Sequence, residues 1–474
     1  MNNETTATPP IEQTEAQDKA AKKSRIDFNA PLWKTMLIFL LPLMLSNALQ
    51  AISGTVSSII LGRMIGENAL AAVSAFFPVF FFLVSFVIGI GSGSAVLIGQ
   101  AFGARDWKQV KVIVGTTLTS TFLLALLVAI PGVLFTHNLL ELTGTPANII
   151  EISAGFARII FLSMPVLFLY NVYTTFLRGS GDSTTPFYFL LISTALSLLL
   201  IPTLVIGWGP FPQLGVNGAA LASVISALLT FIVFLIYLKK VNHPLQFDRE
   251  TMHNLRIDWP VFKLLVKIGI PTSIQMVMIS LAAVAVISFI NKFGSSATAA
   301  YGAVNQVISY VQFPATSLGI TVSIFGAQAI GAGYSKKLSK IIRTGVLINY
   351  IVVGVLVLLT YIFGRNILSL FLTDNQTLNM AFGLLVVTLW SYPLFGNMNI
   401  LAGIMRSSGT VFWPTLIAIF SIWAVEVPVA YILHTRIGLT GVMFGFPASF
   451  IVGLLLQYGY YHFFWKQKKH SRLV

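Results

Sequence analysis

The sequence contains no cysteine and very little charge. Without a single cysteine in 474 residues, disulfides, thiolate metal sites and cysteine nucleophiles are excluded. The six histidines fall in predicted loops or near the ends of hydrophobic segments, without the spacing of metal ligands, so we expect no metal site and no cofactor. Only 9% of the residues are charged, far fewer than a soluble globular domain uses.

Apolar residues take the place of the missing charge. They make up 56% of the chain, and continuous apolar runs of about twenty residues recur along its length. A hydrocarbon core about 30 Å thick takes about 20 helical residues, and only helices or closed barrels satisfy their backbone there. Because the runs are continuous rather than alternating, the sequence predicts an all-α integral membrane protein.

Twelve such runs predict twelve transmembrane helices. The first six are expected near residues 35–58, 74–98, 112–136, 149–174, 185–206 and 215–238. The polar segment "KKVNHPLQFDRETMHNLRIDWP" then interrupts the hydrophobic pattern. Six more are expected near residues 262–290, 298–325, 341–363, 378–400, 411–433 and 441–465.

The predicted spans divide the chain into five regions. We expect the polar tail at 1–33 to be disordered, because it has too little apolar surface to fold alone. After it come a six-helix bundle at 34–240, a cytoplasmic linker at 241–260, a second six-helix bundle at 261–466 and a basic cytoplasmic tail at 467–474.

The basic residues indicate the orientation of the spans. All but five of the 29 Lys and Arg residues lie on one side of the predicted membrane, and the five are Arg63, Arg158, Lys292, Arg365 and Arg436. Since Lys and Arg accumulate on the cytoplasmic side, both termini are predicted to be cytoplasmic. The net charge of +14 therefore reflects topology, and we expect no nucleic-acid partner.

The second half of the chain repeats the first. The segment "LRGSGDSTTP" returns as "MRSSGTVFWP", which aligns Arg178 with Arg406 and Pro186 with Pro414, and "QAFGA" returns as "QAIGA" at the same offset of 228 residues. Six spans in each half give both halves the same orientation in the membrane. Parallel repeats of this kind are typical of secondary transporters whose halves rock around a substrate site.

Four motifs carry a resemblance to a known family. They are "GSGSAVLIGQAFGARDWKQV" after span two, "GAQAIGAGYSKKL" after span eight, "FLRGSGDSTTP" after span four and "GWGPFPQLGVNGAALAS" before span six. In their order along the chain, and with counterparts in both halves, they resemble the multidrug and toxic compound extrusion (MATE) family. The resemblance covers essentially the whole chain beyond residue 33.

The resemblance implies a V-shaped pair of six-helix bundles in the inner membrane. It also implies a multidrug efflux antiporter that exports lipophilic, cationic drugs and other xenobiotics by alternating access, an activity that confers antibiotic resistance. The coupling ion would be Na⁺ or H⁺, since the chain has no phosphate-binding loop for ATP. The expected partners are these small molecules and the lipid bilayer, with no obligatory protein partner. The spans also lack clustered His, Asp or Glu, so we expect the protein to have no enzymatic activity.

One alternative function remains open. The wider superfamily includes flippases that translocate lipid-linked precursors, and in these a basic residue such as Arg158 would hold a phosphate. Such flippases usually carry several cationic residues inside their spans or helices beyond twelve. This sequence has one such residue and no additional span, which favours the antiporter.

The sequence departs from the family at its usual acidic positions. Many members have an aspartate late in span one, where this chain reads "VSS" and places Ser57. Members with an acidic site in the second bundle carry acids in spans seven and ten, near Ile279 or Ser280 and near Phe395 of this chain. The coupling carboxylates of relatives are therefore missing, and Ser57 with nearby carbonyls is a candidate substitute.

Glu426 is the one acidic residue predicted to lie well inside a span. It is expected about seven residues from the outer end of span eleven, roughly 10 Å deep. An acid at such a depth costs a few kcal/mol and marks a functional site by default. Our hypothesis is that Glu426 binds the coupling ion and the substrate in turn. The alternative is a structural pairing, for instance with Arg436 or Tyr431.

The other charge inside a predicted span is Arg158. Glu151 precedes it by seven residues, on the same helix face two turns away. We therefore expect an ion pair between these two residues rather than recognition of an anionic substrate by Arg158.

Uncharged polar residues within the spans are the remaining candidates for lining a cavity. Any one of them can instead hydrogen-bond a neighbouring helix, but together they predict a wet cavity. The candidates are Asn47, Gln50, Asn171, Gln275, Asn305, Gln306, Asn397 and Asn399.

Overall fold

The chain folds into helices throughout the part that is described. The computed structural model describes residues 26–209 and 211–474, and all regular structure in these ranges is helical, with no strand. Helices satisfy their backbone hydrogen bonds within one segment, which a hydrocarbon environment requires. The predicted all-α class is confirmed.

The first half contributes eight helices to this fold, two of them short. They are α1 (Leu32–Met64), α2 (Glu67–Ala104), α3 (Trp107–Leu134), α4 (Thr136–Leu142), α5 (Ile150–Ser180), α6 (Thr184–Ile206), α7 (Val216–Lys240) and α8 (Arg249–His253). Helix α8 lies in the predicted linker, and α4 follows the end of α3 directly.

The second half interrupts its helices more often. A 3₁₀ turn (Ser335–Lys337) precedes α11, and π-helical turns follow α14 (Ser421–Glu426) and α17 (Tyr461–Trp465). The helices are α9 (Trp259–Asn291), α10 (Ser295–Gly331), α11 (Leu338–Leu368), α12 (Asn375–Leu389), α13 (Tyr392–Ser407), α14 (Phe412–Phe420), α15 (Val427–Ile437), α16 (Leu439–Met443) and α17 (Gly445–Tyr460).

By length and composition, eleven helices of the described ranges can cross a membrane. The pair α12 and α13 reaches the same criterion together, although the two helices are bent by 42° at the break between them. If that pair is one span, the total is twelve, as the sequence predicts. The tenth predicted span, near 378–400, is the broken one.

By internal contacts the chain divides into two compact units. The first contains Leu49–Leu265, and the second contains Phe28–Ala48 together with Val266–Leu473. Helices α1 and α9 therefore each supply residues to both units. The predicted bundle limits of 34–240 and 261–466 follow hydropathy instead and stay predictions.

The repeat is visible in the helix packing of each unit. In the first unit, Gly91 on α2 lies against Thr175 on α5, and a Cβ at Gly91 would press on that side chain. In the second unit, Gly319 and Gly403 bring α10 and α13 so close that a Cβ at Gly403 would overlap the Gly319 carbonyl. Both pairs are related by the offset of 228 residues. Small residues at corresponding places let both helix pairs approach closely.

Parts of both predicted tails are structured. Residues 1–25 of the tail at 1–33 lie outside the described residues. Farther along, the ring of Phe28 packs edge-on against Tyr334 at 5.9 Å, and Lys337 Nζ donates to the Phe28 carbonyl at 2.9 Å. In the C-terminal tail, His470 stacks on Trp465 at 3.9 Å, and its carbonyl accepts from Ser335 Oγ at 3.2 Å.

A buried lysine attaches the linker to the first unit. The side chain of Lys111, on α3, is 2% exposed. Its Nζ donates to Asp248 Oδ2 at 2.7 Å, to the Gln246 carbonyl at 3.0 Å and to Thr251 Oγ1 at 3.1 Å. Burial raises the pKa of the Asp248 carboxyl, but hydrogen bonds from Lys111 and Thr251 and the lysine charge outweigh burial and leave that pKa below its usual value.

The next turn of α3 continues this attachment. Gly115 lies so close to the linker that a Cβ there would overlap the Asn254 carbonyl. Thr116 Oγ1 donates to the Arg256 carbonyl at 3.3 Å and accepts from the Asp258 amide at 3.2 Å. The linker is therefore a docked segment of the first unit.

Acidification is expected to loosen the linker through His243. Its Nδ1 accepts a hydrogen bond from the Leu245 amide at 3.1 Å. Burial lowers the pKa of His243 to about 4; Asp182 opposes this shift and Lys111 adds to it. The folded-state pKa lies below the value near 6.5 of an exposed histidine, so neutral, buried His243 contributes its full share to the stability of the folded linker above pH 6.5. This contribution falls as the pH drops towards 4, by about 2 kcal/mol at pH 5.

Hydrogen exchange of the linker amides at pH 7 and pH 5 checks this expectation. Protection factors in the linker should fall at pH 5 in the native protein, and His243→Gln should flatten that pH dependence. The exposed His253 offers a matched control, since His253→Gln should respond to pH as the native protein does. An equal loss of protection in the His243→Gln protein would contradict the assignment to His243.

Candidate functional site

Glu426 is buried in the second unit. Glu426 is the last residue of the π-helical turn Ser421–Glu426, and 7% of its surface is exposed. The helix continues to Ile437, which places Glu426 eleven residues, roughly 16 Å, from the helix end. His434, Thr435 and Arg436 prolong the helix beyond its apolar part.

Helix α17 provides the hydrogen-bond partner of this carboxylate. Ser449 Oγ donates to Glu426 Oε2 at 3.0 Å, and the same hydroxyl lies 3.0 Å from the Phe446 carbonyl. One turn earlier, Gly445 packs against the Glu426 backbone, where a Cβ would stand 2.7 Å from the carbonyl oxygen. Since a hydroxyl has one proton, Ser449 donates to one of its two acceptors at a time.

Two tyrosines complete the surroundings of the carboxylate. Tyr301 on α10 and Tyr392 on α13 are 4% and 5% exposed. Both belong to the buried cluster that includes Ala430, one turn after Glu426, and Phe450, the neighbour of Ser449. Asn305 follows Tyr301 by one turn of α10. We define the carboxylate site as Glu426, Ser449, Tyr301, Tyr392 and Asn305.

The carboxylate of this site belongs to a π-helical turn. Such turns are rare and occur frequently at functional sites, because they leave backbone groups without their α-helical partners. Ser421, at its start, donates from Oγ to the Ile417 carbonyl at 2.8 Å. Within the turn, Trp423 Nε1 donates to the Met278 carbonyl of α9 at 3.3 Å. Pro428, two residues after the turn ends, has no backbone N–H to donate.

The predicted structural partners of Glu426 do not contact it. Arg436 and Tyr431 are both exposed. Among the described residues, the ion pairs do not include Glu426, and its side-chain hydrogen bond comes from Ser449. The alternative of a pairing with Arg436 or Tyr431 is therefore wrong in this structure.

Asn397 belongs to a buried polar network rather than to an open cavity wall. Its Oδ1 accepts from Asn349 Nδ2 at 3.0 Å, and its Nδ2 donates to Tyr350 Oη at 2.9 Å. Asn349 is fully buried and also donates to the Pro393 carbonyl at 2.8 Å. A Cβ at Gly396 would overlap Asn349 Oδ1. The network thus holds the first turn of α13, just after the break in span ten.

Asn349 is not among the site residues predicted from the sequence. It lies in the middle of the ninth predicted span, in the stretch "GVLINYIVVGVLVLL", so its polarity in an apolar run was the available signal. What the sequence could not provide is its partner, since Pro393 follows 44 residues later.

Three other lining candidates bond locally or to a neighbouring helix. Asn171 and Asn399 are related by the repeat, and each donates from Nδ2 at 2.9 Å to the carbonyl four residues before it. Asn47 donates to Ser317 Oγ at 3.0 Å within the second unit. Of the eight candidates, Asn305 is the one that belongs to the carboxylate site.

The remaining candidates differ in exposure. Gln50 is exposed, and Gln275 and Gln306 are half-buried. Ser57 is half-buried in the part of α1 that belongs to the first unit. Its proposed role in ion binding stays a prediction.

The predicted ion pair between Glu151 and Arg158 is not formed. Glu151 Oε1 instead lies 3.4 Å from His137 Nε2, on the short helix α4. Arg158 is exposed and takes part in none of the ion pairs of the described residues. Two helical turns separate the charges by roughly 10 Å along the axis, and α4 brings a nearer partner to Glu151.

The site lies where the two halves differ. Helix α5 is continuous through Pro165, whereas its repeat counterpart Pro393 follows the break before α13. Helix α6 is likewise uninterrupted, whereas span eleven contains the π-helical turn and Glu426. At the repeat offset the first half has Leu198 in place of Glu426, so the carboxylate has no counterpart.

Comparison with a family model supports the duplication. The model described as MatE matches the chain twice, at residues 42–203 and 271–432. The matches begin at Pro42 and Pro271, two prolines that lie inside α1 and α9 at nearly the repeat offset.

The chain is also similar to named bacterial proteins over most of its length. It is 55% identical over 445 residues to "Probable multidrug resistance protein YoeA" of Bacillus subtilis, covering 94% of this chain and 96% of that protein. It is 25% identical over 421 residues to "Multidrug export protein MepA" of Staphylococcus aureus, covering 87% and 90%.

Solved structures share the fold. One described as the outward-facing conformation of a multidrug resistance MATE family transporter superposes with a TM-score of 0.84 at 20% identity, covering 93% of this chain and 97% of that one. A crystal structure of MATE in complex with MaL6 gives a TM-score of 0.85 at 20% identity, with the same coverage. The predicted fold is confirmed.

Removing the amide of Asn349 is expected to destabilise span ten. In Asn349→Ala the buried Pro393 carbonyl and Asn397 Oδ1 lose their donor, which should cost about 1 to 2 kcal/mol. Asn171→Ala is the matched control, because Asn171 is exposed and bonds within its own helix. Unfolding of the purified proteins in denaturing detergent measures both changes. Equal stability of the two variants would show that the network does not hold the break.

Proposed function

The chain belongs to the MatE family, and we propose that it is a secondary antiporter that exports lipophilic cations in exchange for Na⁺ or H⁺. Family membership makes it a multi-pass membrane transporter and not an enzyme. The names of its relatives refer to multidrug resistance and export, and we infer the same multidrug efflux for this chain. The proposed location is the inner membrane, with both termini in the cytoplasm, as the distribution of Lys and Arg indicates.

One observation carries the proposed coupling: among the described residues, Glu426 is the one buried acidic side chain. A carboxylate within a span is costly and is retained where it binds a proton, a cation or a charged substrate. Here it has a single hydroxyl partner and no cationic one. Its charge is therefore available to a bound cation.

Competition for this carboxylate would link the two transported species. A coupling ion neutralises Glu426 on one side of the membrane, and a cationic drug can bind only after that ion has left. Each species thus excludes the other, which turns independent binding into exchange. Antiport needs only one binding site if the coupling ion and the drug occupy it at different times.

The hydroxyl of Ser449 suits both states of the site. When Glu426 is ionised, Ser449 donates to its Oε2. When the carboxyl carries a proton, it can donate to the Ser449 oxygen, while the serine proton turns to the Phe446 carbonyl 3.0 Å away. Glu426 Oε2 and Ser449 Oγ therefore keep a hydrogen bond to each other in both states.

The walls around the carboxylate favour flat, lipophilic cations. Tyr392, Phe395 and Phe450 form an aromatic cluster with ring centroids 4.9 to 5.9 Å apart. Aromatic faces attract organic cations and offer apolar contact to the rest of such a molecule. Combined with one acidic group, they support the proposed substrate class.

The exposure of Arg158 supports a second candidate function, that of a flippase. Because its predicted partner Glu151 contacts His137 instead, Arg158 is a cationic side chain in a span without an ion pair among the described residues. A flippase for a lipid-linked precursor would use such a group to hold phosphate. One arginine at the first unit's α5 is weaker support than a buried carboxylate, so export of cations remains the favoured function.

Transport in proteoliposomes tests the proposal. With imposed Na⁺ and H⁺ gradients applied separately, one gradient should drive export of a lipophilic cation by the native protein. Glu426→Gln keeps the shape of the side chain but cannot ionise, so gradient-driven export should fall at least tenfold. The control is Glu67→Gln, an identical change at an exposed glutamate, which should transport as the native protein does.

Two outcomes would contradict parts of this proposal. If Glu426→Gln exported as fast as the native protein under the same gradient, coupling would have to lie elsewhere, with the region of Ser57 as the next place to examine. If neither gradient drove any cation but the protein moved phosphate-bearing lipids, the flippase would be the function.

A further inference from the structure

The linker exposes several large apolar side chains. They are Met252 (58% exposed), Leu255 (41%), Ile257 (40%) and Trp259 (58%), and we refer to them as the apolar face of the linker. They occur within eight residues of a segment that the sequence marks as polar. An apolar surface held open to water on a docked segment is costly and usually marks an interaction site.

The charges on the same face are basic. Of the three acids in this stretch, Asp248 binds Lys111 and Asp258 accepts from the Val261 amide at 3.1 Å. The third, Glu250, is exposed but lies about 200° around α8 from Met252. Arg249 and Arg256 are exposed and belong to none of the ion pairs of the described residues. The face therefore presents positive charge beside apolar side chains.

The linker is held at the level of the membrane boundary. It connects the end of α7, at Lys240, to the start of α9, at Trp259, and both helices can cross a membrane. Its attachment to the first turns of α3 through Lys111 prevents it from extending away. At the start of α9, Lys263 Nζ lies 5.7 Å from the Trp259 ring. Tryptophan and lysine are both typical of the boundary between lipid and water.

We propose that the linker is a membrane-surface element that binds anionic lipid. Met252, Leu255, Ile257 and Trp259 enter the boundary between headgroups and acyl chains, and Arg249 and Arg256 bind lipid phosphates. Apolar burial supplies attachment to any bilayer, while the arginines add an attraction that depends on anionic lipid. A soluble protein partner fits less well, because the face lies where the bilayer begins.

Spin labels on single cysteines test the depth of this face in the full-length protein. The chain has no cysteine of its own, so Met252→Cys carries the only label. Glu250→Cys is the matched control, because it lies about 200° from Met252 on the same turn of α8 and is also exposed. Proteins are reconstituted in vesicles of phosphatidylcholine alone or with added phosphatidylglycerol.

The label at position 252 should collide several-fold more with oxygen, which dissolves in lipid, than with a water-soluble nickel chelate. The label at position 250 should show the opposite preference. Added phosphatidylglycerol should move the label at 252 deeper. The double change Arg249→Gln and Arg256→Gln should abolish that shift without changing the depth in phosphatidylcholine, whereas Lys468→Gln with Lys469→Gln, an equal loss of charge in the tail, should preserve it.

Two results would overturn the proposal. If the label at 252 were as accessible to the nickel chelate as the label at 250 in both kinds of vesicle, the face would not touch lipid and would be open to a soluble partner. If that label were buried but its depth ignored both phosphatidylglycerol and the arginine changes, the assignment of Arg249 and Arg256 to lipid phosphates would be wrong.

Discussion

Every backbone polar group inside a membrane must find its partner within the protein, because hydrocarbon offers none. Long helices meet this requirement without help, and most of this chain consists of them. Each departure from the helix therefore has to be compensated by a side chain or by a neighbouring helix. At the break in span ten, the amide of Asn349 binds the Pro393 carbonyl. At the start of the π-helical turn, Ser421 Oγ donates to the Ile417 carbonyl.

Both of these departures lie in the second half, although the two halves are repeats of each other. The common parts are those that pack helices, such as Gly91 with Thr175 and Gly319 with Gly403. The differing parts surround Glu426. Duplication thus explains the scaffold, whereas Glu426 lies in a part that the second copy does not share with the first. This arrangement agrees with a transporter whose coupling group lies in one half.

Much of the fold could be predicted because it depends on local properties. The length of an apolar run determines a span, and a repeated offset needs only the sequence. Glu426 could be found in the same way, since it required only the positions of the acidic residues. Its partners could not, because Tyr301, Tyr392 and Ser449 come from three other helices. The expected pair of Glu151 with Arg158 was wrong for a related reason: spacing along one helix says nothing about His137, which a separate helix brings nearer.

The ammonium group of Lys111 has three protons and three acceptors, one from each of Gln246, Asp248 and Thr251. In this respect it resembles a structural metal ion, with the linker folded around it as a set of oxygen ligands. Unlike a metal, this cation is covalently part of α3, so no chelator can remove it and no competing ion can replace it. The contacts that fold the linker around Lys111 therefore need no bound metal ion, in a protein proposed to work by moving ions.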